Sequence, residues 1–192
     1  MQYKNYISTK FYTKILSQIL KKFLYGFVIQ SYKLYCFTMI WNLIEVFTFL
    51  KNFTLIQAAS LVDIVVIDNI KNKNGRFCIT YCFWSYTFGI RIFVRSFVNL
   101  LVPVISASNL YNSADWLERE VWDMFGIKFL FHKDLRRILT DYGFQGHPLR
   151  KDFPLIGFTE IRYNDSVRSI TVEPVELSQD FRYFKYDLPW IK

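Results

Sequence analysis

EREVWDMFGIKFLFHKDLRRILTDYGFQGHPLRKDFP, residues 118–154, concentrates acids, bases, aromatics and turn residues in a pattern that a plain apolar core does not need. Its first part belongs to a short amphipathic helix with Asn112, Ser113 or Asp115 as N-cap and Gly126 just past the last periodic residue. Leu117, Val121, Met124 and Phe125 recur at i, i+4, i+7 and i+8, so this face is expected to be buried. At about 100° per residue, Glu118 and Glu120 flank the apolar stripe, while Arg119 and Asp123 point outward. A half-buried carboxylate requires a cation or several N–H donors, because an unpaired one costs several kcal/mol or gives up its charge. Arg136 and Arg137, a short way downstream, are the expected partners of Glu118 and Glu120.

The groups Glu118-Arg119-Glu120, Asp123-Met124-Phe125-Gly126, His132, Asp134-Leu135-Arg136-Arg137-Ile138-Leu139 and Gly146-His147-Pro148-Leu149-Arg150-Lys151-Asp152 occur together in the order and spacing of one family. On these residues the chain resembles the 30-kDa subunit, also called subunit 9, of NADH:ubiquinone oxidoreductase, respiratory complex I. The likeness extends to Glu173-Pro174, Phe181-Arg182-Tyr183-Phe184 and Pro189-Trp190, and more faintly into the first half, from about Ile40 onward. It departs at Lys133, where the family usually has a proline after the motif histidine; a proline would have fixed φ before the Asp134 turn.

Around this stretch, 192 residues suit one domain of ordinary size with some extended sequence. The chain is 52% apolar, yet its greasiest run, residues 34–50, is interrupted by Asn42 and Glu45, so no transmembrane helix is expected. A net charge of +8 favours an acidic neighbour, whether nucleic acid, anionic lipid or protein. Cys36, Cys78 and Cys82 form no C-x-x-C pair and no Cys/His cluster, which reads as free thiols in a reducing compartment.

Four segments follow along the chain. Residues 1–38 hold a helix and an extended segment: apolar positions 12, 15, 16, 19, 20 and 23 trace one helical face, and residues 25–37 read as extended. No acid precedes Glu45, so this N-terminus reads as a retained helix, with a cleaved presequence or a membrane-surface helix as alternatives. Residues 39–112 form the body: a helical stripe at Ile40, Leu43, Ile44, Phe47 and Leu50, a buried strand over 61–67, a hairpin at Asn74-Gly75, and strands over 76–84 and 90–98. Cys78 and Cys82 share a face of one strand but stand about 13 Å apart, too far for a disulfide or a shared metal ion. Residues 113–154 carry the helix and the turn-rich motif, with one further helical turn expected at 135–139. Residues 155–192 add a small hairpin at 159–163 and 167–172, then a tail in which Phe181, Tyr183, Phe184, Tyr186 and Trp190 are too dense for a segment without its own core, marking a docking strip. The fold class is α+β: a mixed, largely antiparallel sheet covered by helices, followed by an extended C-terminal segment that docks on partner subunits.

Three function classes compete. His132 or His147 with Asp134, Asp141 or Asp152 could serve as acid–base pairs or metal ligands, but no H-E-x-x-H, G-x-S-x-G, Walker loop or dinucleotide fingerprint supports them, and hydrogen-bonded structural roles are favoured. A ribosome-associated organellar nucleic-acid binder would use the positive charge and the aromatic tail; against it, bases alternate with acids in the second half. A noncatalytic subunit of a large assembly explains both the missing motif and the tail. The resemblance implies the same. It puts the chain in the hydrophilic arm of complex I on the matrix side of the mitochondrial inner membrane, beside the 49-kDa subunit and neighbouring peripheral-arm subunits. It gives the chain no cofactor of its own, with flavin and iron–sulfur clusters on other subunits. It marks Glu118, Arg119, Glu120, Asp123, His132, Asp134, Arg136, Arg137, His147, Arg150, Asp152, Phe181, Arg182, Tyr183, Phe184 and Trp190 as structural or interface residues.

Overall fold

A computed structural model describes residues 2–30, 33–72, 74–179, 181, 182 and 184. The chain divides into two compact units, Met1–Phe153 and Pro154–Lys192. In the first, helix α1 (Gln2–Ile19) leads into strands β1 (Leu24–Gln30) and β2 (Lys33–Thr38), a 3-10 turn and helix α2 (Leu43–Asn52). Strands β3 (Ser60–Asp68), β4 (Phe77–Ser85) and β5 (Ile90–Val98) follow, then β6 (Val104–Ile105), helix α3 (Ala114–Phe125) and β7 (Phe129–Leu130).

The main sheet has the order β1-β2-β5-β4-β3, antiparallel throughout except where β2 runs parallel to β5. The meander β3-β4-β5 is the expected one, and the class is α+β. Residues 25–37, read from sequence as one extended segment, are instead an antiparallel hairpin of β1 and β2 that joins the same sheet. The expected α1 stripe is buried at Tyr12, Leu16 and Leu20, whereas Ile19, at the helix end, is exposed.

One sheet face carries the core. Phe77, Ile79, Tyr81 and Phe83 alternate along β4 and face Ile92, Val94 and Val98 of β5. The α2 stripe closes over them, with the Phe47 ring 4.7 Å from Tyr81 and 4.9 Å from Phe83. Burying a ring of this size contributes about 1.5–3 kcal/mol, which anchors the helix to the sheet. The 61–67 run is not wholly buried as expected: β3 is an edge strand whose Leu61 and Ile64 face inward while Val62, Val65 and Ile67 are exposed. A dense β-branched run suits a strand covered on one face as well as on two, so pattern alone could not tell them apart. Helix α3 packs against β3.

In the second unit, β8 (Thr159–Asn164) and β9 (Ser169–Pro174) form the expected antiparallel hairpin, with the Arg162–Glu173 ion pair across it. Phe181, Arg182 and Phe184 are exposed, and Tyr183, Tyr186 and Trp190 lie outside the described residues. Among the described residues no helix is long and apolar enough to cross a membrane.

Candidate functional site

Helix α3 begins at Ala114. Ser113 occupies the N-cap, but its hydroxyl donates to the Leu61 carbonyl at 2.8 Å instead of capping the helix, so it ties α3 to β3. Gly126 ends the helix in the left-handed conformation (φ 73), as the sequence suggested.

The polar residues of α3 are arranged differently from the helical-wheel expectation. Glu118 is fully buried, not flanking, and it meets no arginine: Ser106 Oγ donates to Oε2 at 2.5 Å and the Ala107 N–H to Oε1 at 2.7 Å. Ser108 Oγ lies 2.8 Å from Ser106 Oγ and completes a small buried hydroxyl cluster. Burial raises the Glu118 pKa to about 7 against these two hydrogen bonds, and the nearby Asp115 charge adds to the rise. Glu120 is exposed. Arg119, expected outside, is 5% exposed; it donates to the Asp115 carboxylate at 2.6 Å and lies 4.3 Å from the Trp116 ring centre. The His132 side chain is fully buried, its Nε2 3.2 Å from the Asp115 carbonyl and 3.8 Å from Glu118, while the Asp134 N–H donates to its Nδ1. These partners select the tautomer with the proton on Nε2.

Asp123, also expected to point outward, is fully buried and organises the segment that follows. Its Oδ2 accepts the N–H groups of Ile138, Leu139 and Thr140 at 3.2, 2.7 and 2.9 Å, and its Oδ1 accepts the Thr140 hydroxyl at 2.8 Å. Residues 135–139 therefore form no helical turn: the amides that would have entered one are bound to a carboxylate. Burial pushes the Asp123 pKa up, but the donors from Leu139, Thr140 and Ile138 outweigh it, and the net value is below the ordinary one. Arg137 lies 3.8 Å from Asp123 and donates to the carbonyls of Phe144 and Gly146 at 2.9 and 2.7 Å. Arg136 reaches neither glutamate; it pairs at 2.9 Å with Asp134 in an exposed position.

The end of α3 is capped by the returning chain. The carbonyls of Asp123, Met124, Phe125 and Gly126 accept from His147 Nδ1, the Leu149 N–H, Arg150 Nε and Arg150 Nη2 at 2.9, 3.1, 2.5 and 3.4 Å. These are the acceptors a helix C-terminus leaves open, and a guanidinium there also meets the negative end of the helix dipole. Burial lowers the His147 pKa, so its donated proton stays on a neutral ring. A Cβ on Gly126 would stand 2.1 Å from Arg150 Nη2 and 2.5 Å from His147 Nε2. Only glycine leaves room for this cap.

A second clasp was missed in reading the sequence. Asp68, 4% exposed at the end of β3, is held bidentately by Arg76 at 2.8 Å for both contacts and accepts the Lys151 N–H at 2.9 Å. Arg76 also reaches Asp152 at 2.9 Å. The Arg76 hydrogen bond holds the Asp68 carboxyl below its ordinary value. An acid closing an apolar strand, with an arginine across the hairpin, is the signal that could have found it.

Chemically the arrangement is a set of structural clasps. Glu118, Asp123, His147, Arg137 and Arg150 are each engaged by intrachain donors or acceptors. Among the described residues no three His, Cys, Asp or Glu side chains are placed to hold a metal ion. Cys36 is buried with its thiol pushed up to about 12 by desolvation, the opposite of a ligating thiolate.

The sequence profile of the family described as respiratory-chain NADH dehydrogenase, 30 Kd subunit, matches residues 41–159. The chain is 43% identical to NADH-ubiquinone oxidoreductase subunit 9 of Acanthamoeba castellanii, over 95% of this chain and 93% of that one. It is 47% identical to NADH dehydrogenase [ubiquinone] iron-sulfur protein 3 of Arabidopsis thaliana, over 77% of each. Among solved structures, a trypsin-resistant fragment of Nqo5 superposes with a TM-score of 0.55 at 26% identity, covering 64% of this chain and 98% of the fragment. A chain of an archaeal membrane-bound sulfane sulfur reductase shares the fold, with a TM-score of 0.62 at 22% identity over 75% of this chain and 86% of that one. The family match spans α2, strands β3 to β5 of the main sheet and the α3 clasps, and the chain belongs to the 30-kDa subunit family of respiratory-chain NADH dehydrogenase.

Proposed function

We infer that this chain is a noncatalytic subunit of the hydrophilic arm of NADH:ubiquinone oxidoreductase, where it builds and holds the assembly through which electrons pass from NADH to quinone. The family membership carries this reading. The geometry supports it, since the residues that could have formed a catalytic constellation are engaged within their own chain: His132 and His147 meet backbone carbonyls, Asp141 accepts a backbone N–H, and Asp134 and Asp152 pair with Arg136 and Arg76. Its place is the matrix side of the mitochondrial inner membrane, and its neighbours are the 49-kDa subunit and adjoining peripheral-arm subunits. Flavin and iron–sulfur clusters belong to those other subunits: the name of the Arabidopsis relative mentions iron–sulfur, but the buried Cys36 and the separated Cys78 and Cys82 are not a cluster ligand set. Arg76, Arg119 and Arg150 offer nothing to a nucleic acid, because they are turned onto carboxylates and carbonyls of the chain itself.

On a native gel the tagged chain is expected to migrate with NADH dehydrogenase activity. Migration with ribosomes or nucleic acid would overturn the assignment. The tail serves docking, so deleting residues 174–192 should leave the first unit folded by circular dichroism and remove the chain from the active band.

A further inference from the structure

The sheet face turned away from the core gathers apolar, aromatic and basic side chains. In a sheet, residues opposite one another across strands share a face. Val65 with Thr80 and Arg95, and Ile67 with Cys78 and Phe97, form two such rows on the side opposite Phe77, Ile79, Tyr81 and Phe83. Val65 and Ile67 are 46% and 51% exposed, a large apolar area for an edge strand to leave in water.

Arg95 stands near the middle of this face. Its guanidinium lies 4.1 Å from the ring centre of Tyr35, which itself stacks on Phe93 at 4.9 Å, so the head group is held on an aromatic platform. Its Nε is buried and has no hydrogen-bond partner among the described residues. Lys33 and Arg91 border it over the rings of Phe93 and Trp84, with Asp63 as the acid at the margin. A half-buried guanidinium stacked on an aromatic ring, with an unpartnered Nε and apolar and aromatic surface beside it, has the anatomy of an interface hot spot, and its charge selects the partner.

We propose that this outer sheet face docks an amphipathic segment of a neighbouring subunit, seating a carboxylate on Arg95 and apolar side chains on Val65, Ile67 and Phe97. The partner is identified by that chemistry, and the proposal rests on the subunit reading above. It gives the +8 charge of the chain a specific use.

The test uses the full chain carrying Val65→Cys, with maleimide labelling at that position read by mass spectrometry. Labelling is expected to be at least tenfold slower in the assembled NADH dehydrogenase than in the free chain. Arg95→Glu should lower incorporation into the active band tenfold or more, and Arg95→Lys should retain most of it. Equal labelling in the free and assembled chain would overturn the proposal. So would protection already present in the free chain, which would mean that its own sequence covers the face, or protection by anionic vesicles alone, which would mean a membrane. An Arg95→Glu chain with unchanged melting and undiminished incorporation would also overturn it, and should that variant fail to fold, the labelling decides. If the wild-type chain does not enter the NADH dehydrogenase band at all, the subunit reading falls, and protection of Val65→Cys in the assembly it does enter still tests the surface.

Discussion

Thr140 is bound twice by Asp123: its N–H donates to Oδ2 at 2.9 Å and its hydroxyl to Oδ1 at 2.8 Å. A helix residue thereby fixes a segment 17 positions downstream that has no regular structure of its own. The fold of residues 138–140 is consequently a property of the Asp123 carboxylate.

Asp123→Ala should cost about 3 kcal/mol in urea unfolding, because it leaves several buried donors without an acceptor. Amide hydrogen exchange should speed up first at Ile138, Leu139 and Thr140. The folded pKa is depressed, so the stabilisation is present above the unfolded value and is lost as pH falls through the folded one. Asp123→Asn should lack this acid-side loss.

Glu118 has the opposite sign. With a folded pKa of about 7 against an ordinary 4.5, the folded state holds the proton more tightly, so the contribution is full below pH 4.5 and is lost as pH rises to 7. Relative to Glu118→Gln, the wild type should lose about 2–3 kcal/mol between pH 5 and pH 8. His147, whose pKa is lowered, acts in the other direction but is common to both chains and cancels in the difference. A difference that stays flat across this range would show that Glu118 is ionised in the fold throughout.

Gly126→Ala and Gly143→Ala separate backbone strain from crowding. Both glycines have a left-handed φ, 73 and 72, but nothing stands within 4 Å of a Cβ on Gly143. Gly143→Ala should cost about 1 kcal/mol from strain alone. Gly126→Ala should cost about 3 kcal/mol, since Arg150 and His147 must leave the carbonyls they cap. Thermal melting of the two variants side by side measures the gap.

Arg76→Leu should destabilise the chain by about 3–5 kcal/mol, leaving the Asp68 carboxylate buried without its cation. Urea unfolding measures the loss, and hydrogen exchange at Lys151 should rise because its N–H shares that carboxylate. Arg76→Lys should recover only part, as an ammonium cannot span both Asp68 oxygens and Asp152 together.

The sequence by itself determined the elements whose signals are local. The α3 register and its stop at Gly126, the α2 stripe, the β3-β4-β5 meander and the hairpin of the second unit all follow from periodicity and turn chemistry within a few residues. The family motif was likewise legible, because residue order survives without knowledge of contacts. Only the tertiary structure decided which sides of each element are covered. A helical wheel assumes one neighbour; α3 has β3 on one side and the turn-rich segment, held by Asp123, on another, so Arg119 and Asp123 are buried despite lying off the apolar stripe. The partner of Glu118 proved to be Ser106 and a backbone amide, and the arginines expected there bind carbonyls and an exposed aspartate elsewhere. The parallel pairing of β2 with β5, and the Asp68–Arg76 clasp on residues 151 and 152, join parts of the chain far apart in sequence. Such contacts form when the core brings the elements together, and no local pattern encodes which donor then lies within reach of which acceptor.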